Sequence, residues 1–65
     1  MNWDQIEGRW KDLRGKARES WGELTDDELD QIAGKKDQMI GKLQTKYGIT
    51  KEEAEKRANE WAAKL

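Results

Sequence analysis

The side chains able to do chemistry in this 65-residue chain are carboxylates, lysines and arginines, because it contains neither Cys nor His. Thiolate nucleophiles, disulfides, the usual zinc ligands and the commonest general base are therefore excluded. Two acid pairs, Asp26-Asp27 and Glu52-Glu53, are candidates for acid–base catalysis or for binding a hard cation. Each pair follows a threonine that can cap a helix, and the helix dipole explains acids in a first turn. We predict no catalytic residue and no metal site.

Three Gly-Lys dipeptides superficially resemble phosphate-binding loops: Gly15-Lys16, Gly34-Lys35 and Gly41-Lys42. A loop of that kind needs a glycine-rich turn between a strand and a helix. No strand pattern precedes any of the three dipeptides, so the sequence predicts no cofactor.

Basic residues crowd two segments, and they are the candidates for binding a partner: Arg9, Arg14, Lys16, Lys35, Lys42 and Lys46. If their helices turn these side chains to one side, the resulting surface can meet phosphates. The alternative is a charged face that is simply solvated, since Asp4, Glu7, Asp12 and Glu19 interrupt the first group. The net charge of −1 provides no overall attraction to nucleic acid or anionic lipid.

An internal repeat positions these residues, because residues 6–22 align without a gap onto residues 32–48. Three segments carry the signature of a capping box with a hydrophobic staple, and they begin at Asn2, Thr25 and Thr50. Gly22 and Gly48 follow the last aromatic residue of each repeat, where a left-handed residue ends a helix most cheaply as glycine.

These signals predict four helices, at about Trp3–Trp21, Asp26–Ala33, Lys35–Tyr47 and Lys51–Lys64, with Ala33 facing inward. The sequence leaves open whether Gly34 breaks or only bends the chain between the second helix and the third. Spacings of three and four place the tryptophans on apolar stripes, which predicts a core rather than a stacking platform or a membrane-surface helix. Gly8, Gly15 and Gly41 lie opposite the first and third stripes. They indicate either tolerated weak helix or the close approach of a backbone or ligand.

The composition predicts a folded but thinly cored chain, with 34% hydrophobic and 42% charged residues. We expect a single domain over residues 1–65, with repeat units at about 3–29 and 32–54 and a C-terminal helix at about 51–64. The segment Met1–Gln5 has neither a basic nor an apolar character, and no stretch approaches membrane-spanning length. We therefore expect a cytoplasmic protein.

Two runs of residues carry a family resemblance: Trp10…Gly15-Lys16…Trp21-Gly22…Thr25-Asp26-Asp27, and Gly34-Lys35-x-Asp37-Gln38-x-x-Gly41-Lys42-x-Gln44-x-x-Tyr47-Gly48. This pattern resembles the CsbD-like proteins, which are small bacterial stress-response proteins. The resemblance implies an all-α, four-helix bundle of two packed helical hairpins, similar to a SAM domain. It also implies a role in general stress, with no catalytic or cofactor residue to transfer.

The leading hypothesis is therefore a non-enzymatic stress-response protein that shields client proteins, in the manner proposed for hydrophilins, under osmotic, desiccation or stationary-phase stress. The alternative is a small binding module that contacts nucleic acid or a protein through the basic faces of the first and third helices. We expect a monomer or a weak dimer. An enzyme would have to work with Asp, Glu, Lys or Tyr alone.

Overall fold

A computed structural model describes all 65 residues and contains five helices and no strand. The helices are α1 (Trp3–Gly8), α2 (Trp10–Ser20), α3 (Asp26–Ile32), α4 (Lys36–Tyr47) and α5 (Lys51–Lys64). The all-α prediction is confirmed, and so are the bounds of α5. The arrangement as two SAM-like hairpins and the division into two repeat units remain predictions.

The long first helix predicted over Trp3–Trp21 is wrong, because the structure divides it into α1 and α2 at Arg9. Arg9 lies outside the helical region, at φ −117° and ψ 21°, and its N–H bonds to the carbonyls of Gln5 and Ile6. The preceding Gly8 has a low helix propensity and packs against nothing, so the chain bends there at little cost. The count of helices is therefore five rather than four.

The junction between α3 and α4 is a complete break. Ala33 and Gly34 are consecutive left-handed residues, at φ 51° and 76°, and α3 ends at Ile32 with Ala33 as its cap. Gly34 is buried against α1, where an added Cβ would lie 2.7 Å from the Glu7 Cα and 3.0 Å from the Ile6 carbonyl oxygen. Only glycine suits both this contact and this backbone conformation. Ala33 is half-buried in the turn, not inward on a helix as predicted.

Of the remaining glycines, Gly48 ends a helix, and the others have open space where a side chain would be. Gly48 ends α4 in the left-handed region at φ 61°, as predicted. The same prediction for Gly22 is wrong, because α2 ends at Ser20 with Trp21 as its cap and Gly22 is not in the left-handed region. The Leu24 N–H bonds to the Trp21 carbonyl at this end of the helix. A Cβ on Gly8, Gly15 or Gly41 would meet nothing within 4 Å, so the idea that another part of the chain approaches closely there is also wrong. These three are weak helix positions in open space.

Two of the three predicted capping boxes form completely. Asn2 and Gln5 exchange side-chain-to-backbone hydrogen bonds at the start of α1, and Thr25 and Glu28 do so at the start of α3. At α5 the Thr50 hydroxyl accepts the N–H of Glu53, but the Glu53 carboxylate pairs with Arg57 instead of returning to the cap. All three helix starts are correct.

The core contains 15 residues and has Trp61 of α5 at the meeting point of the other tryptophans. The Trp61 ring lies 5.4 Å from that of Trp21 and 6.3 Å from those of Trp3 and Trp10, between centroids. Trp10, Trp21 and Trp61 are only 6–8% exposed, which confirms their prediction as core residues. The Trp10 Nε1–H donates to the Leu29 carbonyl at 2.8 Å, so its polar atom is satisfied in the interior.

A pair of glycine substitutions tests this account of the backbone. Gly41→Ala should stabilise the fold by about 0.5–1 kcal/mol, because alanine is a better helix former and the new methyl group meets nothing. Gly34→Ala adds the same methyl group but should destabilise by about 2–4 kcal/mol, through overpacking and left-handed strain. Urea unfolding followed by tryptophan fluorescence measures both, and equal effects from the two variants would contradict the structure.

Truncation of the central aromatic ring should be far more costly than truncation at the edge of the core. We expect Trp61→Ala to lose about 3–5 kcal/mol, since three aromatic neighbours lose their packing partner at once. Trp3→Ala is the matched control and should cost less, because Trp3 is only partly buried and contacts the cluster from one side. Far-UV circular dichroism in urea provides the comparison, and a Trp3 effect as large as that of Trp61 would show that the cluster has no centre.

Candidate functional site

Several of the basic residues predicted from the sequence contact α3, which has oxygen-bearing side chains along both of its edges. Residues three or four apart share one side of a helix, so Asp26 and Asp30 lie along one edge and Glu28 and Gln31 along the other. Leu29 and Ile32 point between these edges into the core and are at most 1% exposed. Helix α3 therefore presents two polar edges while its apolar side is buried.

The first edge faces arginines of α2. The Arg14 guanidinium lies 2.9 Å from the Asp30 carboxylate and 3.8 Å from that of Asp26. Arg18, one turn further along α2, donates to the same Asp26 oxygen. These pairs are substantially open to solvent, with side chains 34–69% exposed. Each exposed pair contributes only about 0.2–1 kcal/mol.

The second edge faces lysines of α4. The Lys46 ammonium lies 2.9 Å from Glu28 Oε1, and Lys42 donates to the side-chain carbonyl of Gln31. Glu28 Oε1 also accepts from the N–H and the hydroxyl of Thr25, at 3.0 and 3.1 Å. The backbone N–H of Thr25, followed by Lys46, lowers the pKa of Glu28 from 4.5 to about 2. Its side chain is 17% exposed, so Glu28 is the most enclosed acid of the ion pairs.

We call these eight residues the α3 ion-pair cluster: Arg14, Arg18, Asp26, Glu28, Asp30, Gln31, Lys42 and Lys46. Four of the five ion pairs in the molecule belong to it, and the fifth, between Glu53 and Arg57, lies within α5. Every ion pair between different helices therefore ends on α3.

The six candidate partner-binding residues are consequently not one free basic face. Arg14 and Lys46 bind acids on opposite edges of α3, and Lys42 binds Gln31. Arg9, Lys16 and Lys35 form no ion pair and lie exposed on the surface. The sequence reasoning missed Arg18 and missed α3 as the internal partner. The available signal is the group of four acids in α3, for which the helix dipole provides a second explanation.

The acid pairs found in the sequence do not form a metal-binding group. No group of three or more acids is close enough to hold a metal ion, and Asp26 of the first acid pair is bonded to arginines. The largest surface depression is open and lined by Lys51, Glu52, Glu55, Lys56 and Asn59, with no apolar side chain. Small-molecule sites are usually concave and largely apolar, so this depression does not resemble one. None of the helices combines the length and apolarity required to cross a bilayer.

Comparison with known proteins gives a consistent match. The family model described as CsbD-like matches residues 4–56. UPF0337 protein NE2439 of Nitrosomonas europaea is 56% identical over 62 residues, which is 95% of this chain and 66% of that relative. UPF0337 protein ECA0631 of Pectobacterium atrosepticum is 54% identical, and UPF0337 protein YjbJ of Escherichia coli K12 is 49% identical. For both of these the match covers 94% of this chain and 88% of the relative.

The lowered pKa of Glu28 predicts a specific acid sensitivity. Because this pKa is lower in the folded state, its stabilising effect is fully present above pH 4.5 and is lost as the pH falls towards about 2. Glu28→Gln should therefore be less stable than the unsubstituted chain at pH 7, and the difference should shrink through that window. The urea midpoints of unfolding of the two chains, measured from pH 7 down to about pH 2, test this prediction.

Glu55→Gln is the control for this experiment, since Glu55 is an exposed acid of α5 without an ion pair. The control should retain the acid sensitivity of the unsubstituted chain. A constant stability difference between Glu28→Gln and the unsubstituted chain at every pH would show that Glu28 is not the titrating group.

Proposed function

The chain belongs to the CsbD-like family, a general stress-response family, and from this membership we propose that it is a non-enzymatic protein that protects other macromolecules when water is scarce. In this proposal the protein acts through its whole charged surface rather than through a pocket. The expected setting is the cytoplasm, with the protein present as a monomer or a weak dimer.

One observation supports this proposal above the others: no large hydrophobic side chain is exposed anywhere on the molecule. The tryptophans, leucines and isoleucines are buried or partly buried, so charged and small residues dominate the outer surface. Protein-binding sites usually display an apolar patch with aromatic anchors, and this surface offers none. A surface of this kind favours hydration over specific recognition.

The charge on this surface is dense and mostly unpaired. The chain contains thirteen basic and fourteen acidic residues, of which four of each kind form ion pairs. Both signs are interspersed, and the net charge is only −1. Mixed surface charge retains water and discourages association between neighbouring molecules. We propose that the protein keeps partly dehydrated client proteins apart by this means.

Drying experiments test the proposal directly. A drying-sensitive enzyme such as lactate dehydrogenase is vacuum-dried and rehydrated with and without an equimolar amount of this protein, and the recovered activity is measured. We expect the protein to preserve more activity than an inert domain of similar size and charge composition. Equal protection by the inert domain would defeat the proposal.

A variant of the chain itself provides the sharper control. Replacing Lys51, Glu52, Glu55 and Lys56 with glutamine removes two charges of each sign from the outer face of α5 and leaves the net charge unchanged. None of these residues forms an ion pair or belongs to the core, so the fold should persist and circular dichroism can verify it. This variant should protect the enzyme less well, because its surface holds less charge.

A further inference from the structure

We infer that α3 is the ionic-strength-sensitive element of this fold, and that rising salt opens α3 before the other helices. The inference concerns the conformation of the protein and does not depend on the proposed protective function. It begins from the distribution of ion pairs, since every ion pair between helices belongs to the α3 ion-pair cluster.

The other helices are held together by contacts that salt hardly affects. Trp61 connects α5 to the N-terminal helices through aromatic packing, and the Trp3 Nε1–H donates to the neutral side chain of Asn59 at 3.4 Å. Helices α4 and α5 pack most closely of all and share no ion pair. Apolar burial is not weakened by simple salt in the way that exposed charge pairs are.

Apart from the ion-pair cluster, α3 is held by a small apolar side and by its Leu29 carbonyl, which accepts from the Trp10 Nε1–H. It has seven residues and buries only Leu29 and Ile32. Its C-terminal end is followed by the left-handed Ala33, a strained conformation for a residue other than glycine. Its N-terminal side is joined to α2 by residues 21–25, of which Trp21 and Leu24 are buried and the other three are exposed. A short helix with a strained end depends more than its neighbours on its edge contacts.

The ion pairs on the α2 edge are exposed enough for salt to reach them. The Asp26 and Asp30 side chains are 69% and 62% exposed, and Arg18 is 52% exposed. The Debye length falls from about 10 Å at 0.1 M salt to about 3 Å at 1 M, so such pairs weaken steadily over this range. The enclosed Glu28–Lys46 pair is screened less, which makes the α2 edge the first to release.

Opening of α3 changes what the surface presents. Arg14 and Arg18 lose their carboxylate partners, and the Trp10 Nε1–H loses the Leu29 carbonyl. Salt thus converts a paired charge surface into free cations beside a buried tryptophan. The fold thereby contains a device that couples ionic strength to the exposure of one defined region.

Hydrogen exchange of the full chain, followed by NMR, tests the inference. The reporters are the amides of Leu29 and Ala33, which bond to the Thr25 and Leu29 carbonyls, compared with amides in the central turns of α5. Raising NaCl from 25 to 500 mM should reduce the protection of the α3 amides by about three- to tenfold relative to those of α5. Sucrose at the same osmolality should not produce this difference, because it does not screen charge. Equal loss of protection in α3 and α5 would overturn the inference.

A pair of variants identifies the charges responsible. The double substitution Arg14→Gln and Arg18→Gln should lower α3 protection at 25 mM NaCl and remove most of its response to salt. Lys11→Gln with Lys16→Gln is the matched control, since it removes the same charge from the same helix at residues without an ion pair. The control should keep the full salt response of α3, and a response lost equally in both double variants would also overturn the inference.

Discussion

The packing of Trp61 against Trp3, Trp10 and Trp21 is the contact on which the rest of this structure depends. A chain of 65 residues buries a smaller fraction of its surface on folding than a larger domain does, so each buried side chain matters more to its stability. Large aromatic rings bury more area per residue, and here they join the last helix to the first two. The alanines at 54, 58 and 62 are buried on α5 together with Trp61.

Around this core the polar groups are satisfied locally. No buried side-chain nitrogen or oxygen lacks a hydrogen-bond partner, and the Trp10 indole reaches the Leu29 carbonyl. The acids of α3 face cations on both edges, so the ion pairs join α3 to the helices on either side of it. Gly15 and Gly41 lower the helix propensity of α2 and α4, although a larger side chain at either position would meet nothing within 4 Å of its Cβ.

This combination is consistent with a stress protein that works without a site. Membership of the CsbD-like family agrees with a stress role, and the surface has neither an apolar patch nor a converging set of acids. Of the six candidate partner-binding residues, three form neither an ion pair nor a side-chain hydrogen bond: Arg9, Lys16 and Lys35, which are distributed over α2 and the segments that precede α2 and α4. The proposed protective activity needs a hydrated, charged exterior. Because the aromatic side chains are in the core, charged residues are left to form that exterior.

The sequence by itself determined the helical class, the three capped helix starts and the buried aromatic stripe, because caps and periodicity are local signals. It did not determine the break at Arg9, the left-handed turn at Ala33 or the pairing of Arg14 with α3. The tight fit of Gly34 against Glu7 shows the reason, since these residues are far apart in the chain and meet only after the helices pack. Local signals in the sequence specify the helices. The packing of helices that are distant in the chain decides which glycine must remain glycine and which charged side chains form ion pairs.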